Sequence, residues 1–220
     1  MVSYRQKQHA KRISQATLDK FKTIVSNVTG KDNRFELICE QWQSFIDNDV
    51  LMEKLSSIHN FEALLGYQRQ LSAKLSYEQA LSRVTEKFAE IDLAIHLLRE
   101  KKSSNIIRIP ETTNYKTPDF LEKNGKELYE SKSLKALSER AIWKKASEAL
   151  DQIEDYAKAQ SYDYFGGTVY IVTFDTPKYD MDLQLILEAL KQELKKEHSF
   201  PFNLNLQVYS SGLYGDAYFR

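Results

Sequence analysis

The chain has 220 residues, 42% of them hydrophobic and 28% charged, the balance of an ordinary folded protein and not of a disordered one. Its 31 Lys and Arg against 31 Asp and Glu leave no net charge, which excludes a histone-like coat for nucleic acid but not an enzyme whose basic surface is local. One cysteine, Cys39, excludes an internal disulfide framework and a multi-cysteine zinc site.

The first 24 residues carry Arg5, Lys7, Lys11, Arg12, Lys20 and Lys22 against Asp19 alone, the pattern of an arm that touches nucleic-acid backbone or of an exposed basic helix. The start, MVSYRQKQHAKR, has no apolar stretch of the secretory kind. No run approaches the ~20 apolar residues of a membrane helix, so the expected location is cytoplasmic, with no membrane partner. All four prolines, Pro110, Pro118, Pro177 and Pro201, fall in the second half, which leaves the first half free to be helical. Between about 13 and 100 the spacing is helical: Phe35, Ile38, Cys39, Trp42, Phe45 and Ile46 share one face, and Leu81, Val84, Phe88, Ile91, Ile95 and Leu98 another.

After residue 103 the period shortens to that of strands. NIIRIP (105–110), TPDFLE (117–122), KELYESKSL (126–134) and TVYIVTFD (168–175) are expected strands, with NLNLQVYS (203–210) a last one. Asn124-Gly125 between the second and third marks a two-residue hairpin turn, since both residues tolerate positive φ. A helix over 136–160 buries Ile142, Ala146, Ala149, Ile153, Tyr156 and Ala157, and another spans about 181–197. The order helix, three strands, helix, strand, helix, strand (αβββαβ followed by αβ) predicts an α/β sheet core with a helical N-terminal extension: residues 1–75 helical, residues 76–220 the sheet domain.

Strand alternation places Leu128, Glu130 and Lys132 on one face. Ser131 falls on the other, which argues against its being a nucleophile. Asp119 is five residues before Asn124 and Glu130 five after Gly125, so the turn brings the two acids opposite each other. Facing carboxylates repel, and a hard divalent cation relieves that conflict; Mg²⁺ is commonly held by one or two carboxylates with water and phosphate oxygens. Lys132 beside them is suited to position or deprotonate a water, or to offset charge on a phosphate.

Pro118-Asp119 followed by Glu130-Ser131-Lys132, on two paired strands between helices, resembles the PD-(D/E)XK nuclease superfamily, the restriction-endonuclease-like fold. The resemblance covers about residues 78–175 and implies a metal-dependent nuclease hydrolysing phosphodiester bonds with Mg²⁺ or Mn²⁺, on DNA in preference to RNA. It assigns Asp119 and Glu130 to the metal and Lys132 to catalysis. It adds Glu90 on the preceding helix as a third metal ligand and Gln152 on the following helix as a catalytic partner. Lys145 lies one heptad before Gln152, placed to touch phosphate or to be solvated. A double-strand cutter often works as a homodimer. Two other functions stay open: a toxin-like RNase, and a non-catalytic nucleic-acid or protein-binding module that keeps the fold. His9, His59, His96 and His198 have no metal-ligand spacing.

Overall fold

The computed structural model describes residues 49–60, 77–134, 137–161, 163–164, 166–173, 183–197, 203–210 and 218–219. The basic arm, the stripe from Phe35 to Ile46, Cys39, His9 and His198 lie outside them. The chain divides into two units, Met1–Ser104 and Asn105–Arg220; the expected boundary near 75 falls inside the first.

In the first unit, α1 (Asp49–Leu55) packs against α2 (Tyr77–Glu100). Arg99 in the last turn of α2 suits the negative end of its dipole. Ala89, Ile91, Leu93, Ala94 and Leu97 are buried, whereas Ile95 and Leu98 are half-buried. The covered arc of α2 is therefore wider than the single stripe expected of a surface helix.

The second unit contains β1 (Ile106–Arg108), β2 (Phe120–Glu122), β3 (Glu127–Leu134), α3 (Glu139–Ala159), β4 (Gly166–Thr173), α4 (Leu183–Glu197), β5 (Asn203–Ser210) and β6 (Tyr218–Phe219). The strands form one mixed, open α/β sheet in the order β1-β2-β3-β4-β5, with the two-residue β6 on the β5 edge. β1, β2 and β3 run antiparallel as a meander; β3, β4 and β5 are parallel. All eight residues of β4 are buried, as expected of a central parallel strand enclosed on both faces.

α3 starts at Ser138, whose Oγ accepts from Ala141 N at 3.2 Å. It lays Ile142, Ala146, Ala149, Leu150, Ile153 and Ala157 into a core shared with Leu128 and Leu134 of β3 and Val169 and Ile171 of β4. Leu187, Leu190 and Leu194 of α4 join the same cluster with Leu206 and Val208 of β5. Leu150 belongs to this face although the expected stripe omitted it. Tyr156, expected inside, sits at its half-buried margin.

The β2–β3 ladder pairs Phe120 with Tyr129, Leu121 with Leu128 and Glu122 with Glu127. One more step sets Asp119 opposite Glu130, the register that counting from the turn predicts. The turn itself differs from the expected two-residue form. It takes Lys123 to Lys126, and Lys126, not Asn124, has the left-handed backbone, with φ of 49°. The cause is Glu122. This buried carboxylate accepts from Asn124 N at 3.2 Å and Gly125 N at 2.5 Å, so it caps the turn from below. A Cβ on residue 125 would lie 2.8 Å from Glu122 Oε2, so a larger residue would make that carboxylate shift. Among the described residues no helix is long and apolar enough to cross a membrane.

Candidate active site

The face of β3 that meets α3 carries Leu128, Glu130, Lys132 and Leu134 in alternation. Both leucines are in the core, and Glu130 is only 3% exposed between them. Packing alone favours an apolar side chain at such a position, because an ionised carboxylate there costs several kcal/mol in desolvation, of order. Lys132 is the compensating charge: its Nζ donates to Glu130 Oε1 at 2.5 Å. Lys132 Nζ also donates to Gln152 Oε1 on α3. Gln152 Nε2 in turn donates to Thr117 O at 3.2 Å, so Gln152 links the lysine to the segment before Asp119.

Asp119 lies one residue outside β2, not within it. Pro118 has no N–H to give a ladder, and β2 begins only at Phe120. The Asp119 carboxylate takes over: Oδ2 accepts from Ser131 N at 2.8 Å and from Ser131 Oγ at 2.5 Å. Ser131, set aside because alternation turns it from the Glu130 face, thus holds the acid in place. On the other edge, Asp119 O accepts from Ile109 N at 2.9 Å and from Arg108 Nη1 at 3.1 Å. Arg108 Nη2 is 3.4 Å from Asp119 Oδ1, and its guanidinium carbon lies 5.8 Å from the centre of the Phe120 ring. Sequence reasoning passed over Arg108. The available signal was its place on the same face of β1 as fully buried Ile106, an unusual position for a cation.

Burial, and secondarily the charge of Asp119, push the Glu130 carboxyl up from 4.5 to about 8; Lys132 and Arg108 pull it back only in part. Burial lowers the Lys132 ammonium pKa, but the Glu130 carboxylate outweighs it, with Asp119 and Glu148 adding, and the net direction is upward. Burial raises Glu148, and its hydrogen bond with Lys145 outweighs that, helped by Lys132 and Lys144, so its pKa falls. Glu148 therefore belongs to the field around Lys132, a role the sequence did not suggest. Lys145 is engaged with Glu148 at 2.9 Å.

Glu130 Oε2 is buried and, among the described residues, has no hydrogen-bond partner. An orphaned carboxylate oxygen calls for a cation or a proton, and a hard divalent cation fits this oxygen donor set. Among the described residues no group of three or more His, Cys, Asp or Glu side chains is arranged to hold a metal. Two carboxylates are a number with which Mg²⁺ can complete its shell from waters and substrate oxygens. Glu90 lies on α2 in the first unit, buried and paired with Lys87. His96 Nε2 is 3.5 Å from Glu100 Oε1. Comparison with protein-family models, curated proteins and solved structures finds no match.

Proposed function

We propose that this chain is a nuclease of the PD-(D/E)XK kind, hydrolysing phosphodiester bonds with Mg²⁺ or Mn²⁺, on DNA before RNA. Glu130 carries the proposal. It is an acid placed where packing favours an apolar residue, held against a lysine, in register with a second acid, and left with an unpartnered oxygen. Asp119 and Glu130 would hold the cation. Bound there, it supplies Lewis acidity at the phosphate and acidifies water.

The remaining work falls to the chain's own groups. Ser131 and Arg108 fix the Asp119 carboxylate, so it is preorganised before any cation arrives. Lys132 donates to both Glu130 and Gln152. That geometry suits it to act as a donor, orienting water or offsetting phosphate charge. Gln152 sets the direction of that ammonium. The order of α2, three antiparallel strands, α3 and the parallel β4 supports the αβββαβ reading. The metal-ligand role of Glu90, the cytoplasmic location and a homodimer rest on the sequence alone.

The test is cleavage of plasmid DNA by the purified chain in Mg²⁺ or Mn²⁺. Cleavage lost in both Asp119→Ala and Lys132→Ala supports the site, and cleavage unchanged in both refutes it. Parallel tRNA and mRNA substrates separate a DNase from an RNase, since the 2′-hydroxyl and base pairing control access differently.

A further inference from the structure

We propose that the segment between β1 and β2, residues 109–119, builds a subsite for one unpaired nucleotide beside the cleavage centre, which makes single-stranded nucleic acid the preferred substrate. The inference rests on the nuclease reading and extends it to the class of substrate.

A cleft of about 440 Å³ opens along this segment. That is within the range of about 300–1,000 Å³ typical of small-ligand sites, room for a nucleotide. Asp119 and Gln152 form part of its wall. A ligand seated there therefore reaches the same carboxylate and amide that serve the Glu130–Lys132 pair.

The rest of the lining has the chemistry of a nucleotide. Lys116 brings an exposed positive charge for a phosphate, set against Glu111 of opposite sign, and Asn114 and Thr112 bring donors and acceptors for a base edge. Tyr115 adds an aromatic wall of the kind on which bases stack. The segment is held in shape before a ligand arrives. Gln152 ties it at Thr117 O, and Thr112 Oγ1 closes it internally on Tyr115 O at 3.1 Å. Tyr115 is anchored edge-on to Tyr156, ring centres 5.9 Å apart, and its hydroxyl accepts from Gln160 Nε2 at 3.2 Å. A duplex presents its bases stacked and paired and places a base in this cleft only by extruding one.

The experiment measures binding by fluorescence anisotropy in EDTA, so that no cleavage intervenes. The probes are a labelled single-stranded DNA about a dozen nucleotides long, a span suited to one binding groove, and the matching duplex. The full chain is compared with the variant combining Asn114→Ala and Lys116→Ala; both side chains are exposed, and thermal unfolding checks that the fold is kept. The expected result is tighter binding of the single strand by the native chain, weakened about tenfold in the variant, with duplex binding changed less than about twofold. Equal weakening on both probes, which marks a general loss of charge, or no weakening at all, overturns the proposal. Cleavage assays in Mn²⁺ separate this from the underlying reading. Loop-dependent binding without cleavage leaves the subsite and removes the nuclease. Cleavage with loop-indifferent binding leaves the nuclease and removes the subsite.

Discussion

Replacing Glu130 with glutamine tests the central acid through stability as well as activity. With a carboxyl raised from 4.5 to about 8, the native state keeps a proton that the unfolded chain releases. Across that interval the unfolded chain binds fewer protons, so stability falls as pH rises, by about 1.4 kcal/mol per pH unit. Full stability from this group is present below pH 4.5, and up to about 5 kcal/mol is lost by pH 8. The substituted glutamine has nearly the same shape and imitates the protonated acid. Its carbonyl still accepts from Lys132, and it has no proton to release. The variant and the native chain should therefore be about equally stable at pH 5, and the variant more stable at pH 8 and above. Urea unfolding in EDTA at several pH values measures the difference, in which titrations elsewhere cancel. Mg²⁺ added at pH 8 should stabilise the native chain and not the variant, because the cation competes with the proton for the carboxylate. A variant less stable than the native chain at pH 8, or a gap that does not change between pH 5 and 8, refutes the reasoning.

Lys132→Ala should lower cleavage by about 10²–10³-fold, the usual loss on removing a donor aimed at developing charge, measured on a defined oligonucleotide at saturating Mn²⁺. Arg108→Met keeps the volume and removes the charge that holds Asp119. Stability should drop by about 1–3 kcal/mol in urea unfolding as Ile109 O, Asp119 O and Asp119 Oδ1 lose a donor, with weaker Mn²⁺ binding by titration calorimetry. Gly125→Ala should cost up to about 1 kcal/mol in urea unfolding as the Glu122 carboxylate shifts from its turn amides, and the double variant with Glu122→Ala should lose less than the two separate effects combined. Leu150→Ala, in the core under α3, should destabilise by about 2–5 kcal/mol, read from the urea midpoint.

The hairpin register was legible because it is local. Alternation fixes which residues share a face, and Asn124-Gly125 marks the centre of symmetry. The turn proved longer than two residues, yet the register held, since any turn centred on that pair sets the same residues opposite each other. Glu130 and Lys132 on one face follow from strand period two, whereas Gln152 was placed only by the resemblance to a nuclease family. Leu150 and Tyr156 were misjudged because a stripe read from spacing has no defined edge until the sheet beneath it is known.

What the chain alone determined is the set of elements, their order and the face each side chain takes, because these depend on neighbours a few residues apart. Tertiary structure alone decided the rest. That β1 lies along the free edge of β2 brings Arg108 to Asp119, eleven positions later. That β4 lies beside β3 and α3 packs over both leaves Glu130 only 3% exposed. Both are choices among distant strands, made by burial of the whole sheet, and the perturbed carboxyl at the centre of the site is their consequence.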